Sequence, residues 1–309
     1  MNKQLMLATE IAGIKMKTPI MTGSGTFGFG EEFTDFIDLN ELGAVVVKGT
    51  TLLPRSGNNG VRIAETPSGM LNSIGLENPG VDYFLSNILP RLAKYDVPVI
   101  VNISGSEAAD YGKLAKILDI PEIAAIELNI SCPNVKEGGI AFGTDPNSAV
   151  NVVKAAKENT NKPVIVKLSP NVTDIVLMAK AVEAAGADVI SLINTLTGMV
   201  IDTRSWRPVL GNIVGGLSGP AVKPVAVRMV WQVAQAVKVP LIGMGGISSA
   251  EDAVEFFLAG ASAVAIGTTN FVDPAATQKI ANDLLKYLEQ HDLAHFTQLI
   301  GQVKIANNR

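Results

Sequence analysis

The strongest constraint on the fold is a rhythm in which short apolar runs alternate with longer amphipathic segments, eight times along the chain. A short apolar run bounded by turn residues indicates a buried strand, and an amphipathic segment indicates a helix that packs one face on a sheet. Strands that alternate with helices in this way form βα units around a parallel sheet. The sequence therefore predicts an α/β fold with eight parallel strands.

The apolar runs place the predicted strands at residues 19–22, 44–48, 97–102, 124–129, 164–168, 189–194, 241–244 and 263–267. Helical patterns include residues 107–118, 147–159, 173–185, 220–237 and 249–258. Thr173 and Ser249 are predicted N-cap residues, because a hydroxyl oxygen can accept a hydrogen bond from the first helical turn. Gly186 and Gly260 are predicted C-terminal stops, since glycine readily adopts the left-handed conformation found there.

Eight βα repeats in a chain of this length favour one barrel over two doubly wound domains. The chain has 309 residues, and a (β/α)8 TIM barrel takes about 250 residues before insertions. No stretch reads as a linker, so residues 1–309 are predicted to form a single TIM-barrel domain with residues 1–17 across its bottom. Residues 50–80 and 196–219 follow strands two and six. Both insertions are expected at the C-terminal face, where barrel enzymes build their active sites.

Composition and charge narrow the class of protein. Hydrophobic residues make up 47% of the chain and charged residues 17%, which indicates a large buried core. The net charge of −4 argues against nucleic-acid binding through a broad basic surface. The N-terminal residues lack the apolar stretch of a signal peptide or a membrane helix. We therefore expect a cytoplasmic protein without a membrane anchor.

Cysteine and histidine are too scarce for most metal or redox centres. The single cysteine, Cys132, excludes an internal disulfide and an iron–sulfur cluster held by this chain alone. The only histidines, His291 and His295, have the i, i+4 spacing of a metal pair, but a solvated helix face is the favoured interpretation. No metal site is predicted.

Five predicted strands carry a polar side chain at or near the end: Lys48, Asn102, Asn129, Lys167 and Asn194. Such residues are most often solvated or part of turns, but the ends of eight parallel strands meet at one barrel mouth. Amides supply hydrogen-bond donors and acceptors in pairs, which suits a flat heterocycle better than a metal or an acyl intermediate. The strand ends therefore predict a site for a planar cofactor.

Small residues follow strands seven and eight, in the segments GMGGIS (243–248) and IGTT (266–269). The alternative is an ordinary pair of tight turns, but these are the two loops of a TIM barrel that usually bind phosphate. A third segment, GSGTFG (23–28), matches the GxGxxG pattern of dinucleotide-binding proteins. The second strand ends in Lys48 rather than in the acidic residue that this fingerprint requires. We therefore interpret segment 23–28 as a loop against the edge of a ring.

The segment ELNISCPN (127–134) places Cys132 between two asparagines, directly after an apolar run. Because Pro133 cannot continue a strand ladder, Asn129 is expected to end the strand and Cys132 to lie on the loop after it. A lone cysteine is most often a small buried side chain. The functional alternative is a reactive group at the barrel mouth.

Six segments together resemble the dihydroorotate dehydrogenases, and the resemblance extends over nearly the whole chain. They are SGTFGFG (24–30), VKGTT (47–51), NSIGLENP (72–79), NISCPN (129–134), NT (194–195) and GMGG (243–246). Cys132 and the lack of an N-terminal membrane helix resemble class 1, because the membrane-bound class 2 enzymes have a serine at that position. The loops FGFG (27–30), ETPSGML (65–71) and VKEGG (135–139) resemble the catalytic subunit of the NAD-linked class 1B.

The resemblance implies an FMN-dependent oxidation of (S)-dihydroorotate to orotate in the de novo synthesis of pyrimidines (UMP). It implies that FMN is held by Ser24, Lys48, Gly49, Asn102, Asn129, Lys167, Ile193, Gly219, Gly245, Gly246, Gly267 and Thr268. It implies that dihydroorotate is held by Lys48, Asn72, Ser73, Ile74, Gly75, Leu76, Asn129, Asn194 and Thr195. Cys132 would be the base that takes the proton while FMN takes the hydride. Lys48 and Lys167 would place positive charge near the substrate carboxylate and the reduced flavin, and the motifs leave open which lysine meets which.

The resemblance also implies a partner, because this chain lacks a Rossmann fingerprint and the cysteines for a cluster. A second subunit would carry FAD, a 2Fe–2S cluster and the NAD+ site, and would bind a homodimer of this chain in a heterotetramer. Three alternatives remain open: a class 1A enzyme that reduces fumarate, a Schiff-base aldolase that uses Lys167 or Lys48, and a barrel that binds without catalysing. The motifs give no role to residues 199–216.

Overall fold

The computed structural model describes residues 3–131 and 142–305 of the chain. Within these residues, eight parallel strands form one sheet. They are β1 (Ile20–Thr22), β2 (Val45–Thr50), β3 (Val99–Ile103), β4 (Ala125–Asn129), β5 (Val164–Lys167), β6 (Val189–Leu192), β7 (Leu241–Met244) and β8 (Ala263–Ile266). Each strand lies beside its neighbour in sequence, and β8 lies beside β1. Backbone hydrogen bonds from Thr22 to Ala44 and from Gly43 to Ile20 join β1 to the start of β2 and close the ring. The prediction of a (β/α)8 TIM barrel is confirmed.

All eight predicted strands are present, and the differences lie at their ends. Lys48 lies two residues before the end of β2, and Asn194 lies two residues beyond the end of β6. The strands form long apolar runs because one face fills the barrel and the other is covered by helices. Strand β3, for example, is buried along its whole length.

Six helices of ten or more residues cover the described part of the barrel. They are α1 (Ala108–Ile117), α2 (Pro146–Lys157), α3 (Ile175–Ala184), α4 (Lys223–Ala234), α5 (Ala250–Ala259) and α6 (Ala276–Gln290). Shorter helical segments are Lys3–Met6, Glu31–Phe33, Leu39–Glu41, Val81–Tyr83, Phe84–Ile88, Leu89–Leu92, Pro220–Val222, Thr269–Val272 and Phe296–Leu299. The five helical patterns identified in the sequence correspond to α1–α5.

The helix ends show which local signals were sufficient. Ser249 caps α5 in a capping box, so this N-cap prediction is confirmed. Gly186 and Gly260 follow α3 and α5 with φ of 102° and 114°, as predicted for C-terminal stops. The prediction for Thr173 is wrong, because Asp174 caps α3 and accepts hydrogen bonds from the N–H groups of the first turn. A carboxylate one residue nearer the helix is the better-placed acceptor.

The barrel has an apolar interior at the amino ends of its strands, separate from the layer between strands and helices. Ile100, Ile165 and Ile242 belong to this interior cluster. A hairpin of strands Thr9–Ile11 and Ile14–Met16 packs its buried side chains into the same cluster. The N-terminal segment thus covers the bottom of the barrel, as expected from the sequence.

The insertions after β2 and β6 pair with each other in one antiparallel sheet. Its strands, in spatial order, are Leu196–Gly198, Gly215–Ser218, Gly69–Asn72 and Ile63–Thr66. A separate ribbon pairs Ile201–Asp202 with Arg207–Pro208 and carries Trp206, which is 87% exposed. Because both insertions follow the carboxyl ends of barrel strands, this sheet stands beside the barrel mouth.

His291 and His295 do not share a helix face, so their interpretation as part of a solvated helix face is wrong. Helix α6 ends at Gln290, and His291 is its C-cap residue. His295 caps the short segment Phe296–Leu299, and its Nε2 lies 3.0 Å from the carbonyl oxygen of Ala8. Among the described residues, no cluster of three or more His, Cys, Asp and Glu side chains is arranged to hold a metal. No helix in the described ranges combines the length and apolar character needed to cross a bilayer.

Candidate active site

The barrel interior becomes polar toward the carboxyl ends of its strands. The strand registers place Asn102 beside Glu127, Asn129 beside Lys167, and Ser191 on the other side of Lys167. Asn102 and Lys167 are only 1% and 6% exposed. Two amides, a carboxylate, a hydroxyl and an ammonium group therefore occupy the upper layers of the barrel, above the apolar cluster.

The loop after β1 contacts both lysine-bearing strands. Lys48 N donates to Gly28 O at 2.9 Å, and Lys167 Nζ donates to Ser24 Oγ at 3.2 Å. The hydroxyl of Ser24 is neutral, so within the described residues the charge of Lys167 has no counter-ion in hydrogen-bond contact. Lys167 therefore presents a cation, already positioned, to a ligand in the mouth.

The GxGxxG match at residues 23–28 lacks the structure of a dinucleotide site. A helical segment of only three residues, Glu31–Phe33, follows it. A dinucleotide fingerprint needs a helix whose N-terminus receives the pyrophosphate. The loop instead lies along the barrel mouth, through the contacts of Ser24 and Gly28.

Asn129 and Asn194 hold each other at the mouth. Asn194 Nδ2 donates to Asn129 Oδ1 at 3.4 Å, and Thr195 N donates to Asn194 Oδ1 at 2.8 Å. Ser131 N also donates to Asn129 Oδ1, at 3.3 Å, and the hydroxyl of Tyr111 donates to the backbone oxygen of Asn129 at 2.8 Å. Both side-chain oxygens thus accept hydrogen bonds. Within the described residues, Asn129 Nδ2 and the second hydrogen of Asn194 Nδ2 remain for a ligand.

Segment 72–76 lies against the same mouth. Asn58 Nδ2 donates to the backbone oxygen of Ser73 at 3.1 Å and to its Oγ at 3.0 Å. Leu76 reaches the second barrel strand, because a Cβ on Gly49 would lie 3.4 Å from Leu76 Cδ2. The segment predicted to hold the substrate is therefore adjacent to a residue predicted to hold the cofactor.

Asn72 and Thr195 come together through Gly216. Asn72 Nδ2 donates to Gly216 O at 3.3 Å, and the two residues are partners in the antiparallel register. A Cβ on Gly216 would collide with Thr195 Oγ1, so only glycine permits this approach. The pairing of the two insertions is what places their predicted substrate residues side by side.

The charge of Lys48 acts on the end of segment 72–76. The pKa of the Glu77 carboxyl lies below its ordinary value, because Arg62 donates a hydrogen bond to it and the charges of Arg62 and Lys48 add to the effect. The Arg62–Glu77 contact measures 2.7 Å. The charge of Lys48 therefore acts on Glu77, the residue that directly follows this segment.

The turn after β7 contacts two other predicted cofactor residues. Gly246 has φ of 75°, and a Cβ there would lie 2.7 Å from Gly219 O, so glycine is required. A Cβ on Gly245 would lie 3.4 Å from Ile193 Cγ1. The turn after β7, the end of β6 and the start of segment 219–222 therefore meet at one place.

The turn after β8 completes the glycine-lined part of the mouth. Thr268 Oγ1 donates to Ser218 Oγ at 2.8 Å. A Cβ on Gly267 would meet no atom within 4 Å, so this residue borders open space. Backbone N–H groups beside open space are what a phosphate group needs.

An ion-pair network holds the turn after β7 from behind. Asp252 accepts hydrogen bonds from Ser248 N, Ser248 Oγ and Ser249 N at 2.8, 2.7 and 3.1 Å. Lys223 Nζ contacts Asp252 and Glu255 at 2.5 and 2.6 Å. Burial pushes the pKa of Asp252 upward, but hydrogen bonds from Lys223 and Ser248 outweigh burial and leave the pKa below its ordinary value. The hydrogen bonds to Asp252 and Glu255 raise the pKa of Lys223.

These residues fit a flat ligand that carries polar ring edges and an anionic tail. Asn102 Oδ1 is buried and lacks a hydrogen-bond partner in the described part of the chain. In the described ranges Lys167 has no counter-ion in hydrogen-bond contact, and Gly267 borders open space. An unpaired buried carbonyl, a cation and a glycine-lined turn are the groups that an FMN ring and its phosphate would use.

Comparison with known proteins decides the family. The family model for dihydroorotate dehydrogenase matches residues 6–288. The chain belongs to the dihydroorotate dehydrogenase family. A relative from Geotalea uraniireducens, named dihydroorotate dehydrogenase B (NAD(+)), catalytic subunit, is 59% identical over 296 residues, which cover 96% of this chain and 97% of the relative. Proteins of the same name from Geotalea daltonii and Geobacter sp. (strain M21) are 58% and 57% identical over 300 residues, which cover 97% of this chain and 98% of each relative.

The cysteine expected to act as base in this family member, Cys132, lies outside the described residues, as does the loop VKEGG at residues 135–139. The described chain leads directly to it, because Asn129 ends β4 and Ser131 is anchored to the Asn129 side chain. All other predicted site residues fall within the described ranges.

The sequence interpretation missed Glu127 and Ser191. Glu127 is 2% exposed and accepts hydrogen bonds from Asn102 Nδ2 at 2.7 Å and from Ser191 Oγ at 2.9 Å. A signal was present, because side chains two apart on a strand share a face. Glu127 therefore faces the interior together with Asn129, and Ser191 together with Ile193.

Proposed function

We propose that this chain oxidises (S)-dihydroorotate to orotate with the help of bound FMN, as a step of de novo pyrimidine (UMP) synthesis. The observation that carries the proposal is the convergence of two groups of residues on one mouth. Asn129 belongs to both groups, since it pairs with Lys167 in the sheet and with Asn194 through its side chain. Family membership supports the proposed reaction, and the convergence of these residues supports its proposed location at the barrel mouth.

The residues that would hold FMN divide by chemistry. Gly245, Gly246, Gly267 and Thr268 would receive the phosphate through backbone N–H groups and a hydroxyl. Lys167, held by Ser24, would place its charge beside the ring, where negative charge develops. The remaining members of the group are Lys48, Gly49, Asn102, Asn129, Ile193 and Gly219. When bound, FMN supplies an acceptor for the hydride.

The residues that would hold dihydroorotate are mainly hydrogen-bond donors. Asn129 and Asn194 present N–H groups, because their oxygens already accept from Asn194, Ser131 and Thr195. N–H donors suit the carbonyl and carboxylate oxygens of the substrate. The other members are Lys48, Asn72, Ser73, Ile74, Gly75, Leu76 and Thr195. Lys48 would attract the carboxylate, while Leu76 would exclude water on the side of Gly49.

Cys132 would take the proton that leaves with the hydride. Oxidation of a saturated C–C bond removes one proton and one hydride. The reaction therefore needs a base as well as a hydride acceptor. The sulfur acts as a base in its thiolate form, and a cationic mouth favours that form. In the sequence, Cys132 follows Asn129 by three residues, which supports a position close to the amides proposed to hold the substrate.

We further propose that NAD+ is the final electron acceptor and that a second subunit reduces it. The relatives are named as NAD(+) enzymes and as catalytic subunits. The partner would carry FAD and a 2Fe–2S cluster, since this chain has one cysteine. In this proposal residues 1–309 form one domain, two copies form a homodimer inside a heterotetramer, and the complex works in the cytoplasm. Neither a Schiff-base aldolase nor a fumarate-reducing enzyme is favoured by the family match and the relatives' names.

An acceptor assay tests the proposal and its alternatives together. The purified chain is mixed with dihydroorotate and, in turn, NAD+, fumarate and NAD+ with its co-expressed partner. We expect NADH only with the partner present, and slow electron transfer to dyes or oxygen without it. Rapid NAD+ reduction by the chain alone, or efficient fumarate reduction, would contradict the assignment of the acceptor. Trapping of a substrate on Lys167 by borohydride in a colourless protein would replace the oxidoreductase with an aldolase.

A further inference from the structure

Glu127 is a buried carboxylate to which the proposed function gives no task. It is 2% exposed and lies in the barrel interior between β3 and β5. A carboxylate in such a place is costly unless its oxygens are hydrogen-bonded. Both are: Oε1 accepts from Asn102 Nδ2 at 2.7 Å, and Oε2 accepts from Ser191 Oγ at 2.9 Å.

Asn102, the partner of Glu127 Oε1, has hydrogen-bonding groups that the described part of the protein leaves unpaired. It is 1% exposed, and its Oδ1 has no hydrogen-bond partner within the described residues. This oxygen lies beside the second barrel strand, 3.0 Å from the position that a Cβ on Gly49 would take. One hydrogen of Nδ2 is donated to Glu127, so the other hydrogen and Oδ1 remain for a ligand.

The charge of Glu127 decides which way the amide of Asn102 faces. An asparagine amide exchanges its oxygen and nitrogen by a half-turn, and a neutral neighbour that both donates and accepts would tolerate either arrangement. An ionised carboxylate only accepts, so it binds the NH2 group and repels the oxygen. Ser191 donates to the other oxygen of the carboxylate and does not contact Asn102 through this hydrogen bond.

We propose that Glu127 is a positioning residue, which acts through Asn102 to fix the arrangement of donor and acceptor that the barrel presents to the FMN ring. This inference rests on the proposed FMN site and adds a residue that contacts Asn102 rather than the ring. Glu127→Gln keeps the shape but allows the amide of Asn102 to turn over. The flavin then binds to a mixed population of sites.

A double-mutant cycle isolates this role. FMN Kd, from flavin fluorescence, and the reduction potential of bound FMN are measured for the wild type, Glu127→Gln, Asn102→Ala and the double variant. We expect Glu127→Gln to weaken FMN binding about tenfold in the wild-type background, a typical consequence of misplacing one buried hydrogen bond. In the Asn102→Ala background the same substitution should change Kd by less than about twofold, since there is no amide left to orient. The potential should shift in the first background and stay constant in the second.

Ser191→Ala is the matched control, because it removes the hydrogen bond to the other oxygen and leaves Asn102 in place. We expect a change in FMN Kd of less than about threefold. If Glu127→Gln does not yield folded protein by circular dichroism, Glu127→Asp takes its place in the cycle. Its shorter carboxylate draws back from Asn102, so the same coupling is expected.

The outcomes separate this inference from the proposal beneath it. Equal losses of affinity from Glu127→Gln in both backgrounds would show a general structural role and overturn the inference alone. So would unchanged affinity and potential in the single variant. A wild-type chain without affinity for FMN would overturn the proposed function and this inference together.

Discussion

The two ends of the barrel interior differ in chemistry although the same strands build them. Ile100 and Ile165 lie in the apolar cluster at the amino end, together with Ile14 of the N-terminal hairpin. Two residues further along the same strands, Asn102 and Lys167 face the same interior. A single pleat therefore separates the part of each strand that holds the barrel together from the part that meets a ligand.

Because of this difference, residues at the amino end should affect mainly stability and residues at the carboxyl end mainly binding. Apolar side chains at the amino end have neighbours on all sides, and their burial favours folding whether or not a ligand is present. Within the described residues, the polar side chains at the carboxyl end include a buried oxygen without a hydrogen-bond partner and a cation without a counter-ion in contact, both of which a ligand can satisfy. Substitutions at one end should lower stability, while substitutions at the other should lower affinity or rate.

The largest effect is expected at the carboxyl end, for Cys132→Ala. FMN should stay bound, while its reduction by dihydroorotate should slow by about 10²–10⁴-fold, the usual contribution of a general base. Stopped-flow absorbance under anaerobic conditions measures this rate. Cys132→Ser is the control and should keep a residual rate that rises with pH. Reduction of the alanine variant at the parental rate would mean that another group takes the proton.

At the amino end, Ile165→Ala should separate stability from binding. Ile165 is 1% exposed in the apolar cluster, and its truncation leaves a cavity that costs about 2–5 kcal/mol of unfolding free energy. Urea denaturation of the apoprotein measures the loss. The FMN Kd of the folded variant should change by less than about twofold, because the cavity lowers the unfolding free energy and does not touch the proposed FMN site. A large loss of FMN affinity would show that packing at the amino end also determines binding at the carboxyl end, which contradicts the proposed separation.

Lys167→Ala should weaken FMN binding or lower its reduction potential, because it deletes a cation expected beside the ring. We expect about a tenfold or greater change in Kd, the scale of a charge-assisted hydrogen bond. Ser24→Ala is the matched control, since it removes the neutral partner of Lys167 and leaves the charge. Its effect should be clearly smaller. Equal effects of the two variants would indicate that the contact itself, rather than the charge, is what matters.

An effect on stability rather than on binding is expected at Asp252, behind the turn after β7. Its pKa in the folded protein is lowered from the ordinary value of 3.8, so its contribution to stability is present above about pH 4 and is lost as pH falls through the folded pKa. Asp252→Asn should cost about 1–3 kcal/mol at pH 7. The difference between variant and wild type should narrow in denaturation experiments at pH 4 and below. A difference that stays constant with pH would show that the charge of Asp252 is not what holds the turn.

Much of the barrel could be predicted from the sequence, because a strand buried on both faces leaves a continuous apolar run. The site was predictable where a polar residue ended such a run, as at Asn102, Asn129 and Lys167. Glu127 was missed because it lies inside an apolar run rather than at its end. The period of two would have marked it, because Glu127 lies two residues before Asn129 and shares its face of the strand. Thr173 and Asp174 can both cap a helix, and only the backbone decides between adjacent candidates.

The pairing of the two insertions could not be predicted from local patterns. Asn72 and Gly216 are 144 residues apart and are joined by a hydrogen bond, and the strands that carry them are four residues long and rich in glycine or mixed in polarity. Short strands of this kind show no clear alternation. The approach of Asn72 and Thr195 to the same residue, Gly216, therefore emerges only in three dimensions.

The most direct test of the central claim is the anaerobic absorption spectrum of the purified chain before and after addition of dihydroorotate. The account predicts a yellow protein whose flavin absorption is lost when dihydroorotate is added, with one FMN per chain. A colourless protein that does not take up FMN, or bound flavin that dihydroorotate leaves oxidised, would contradict it.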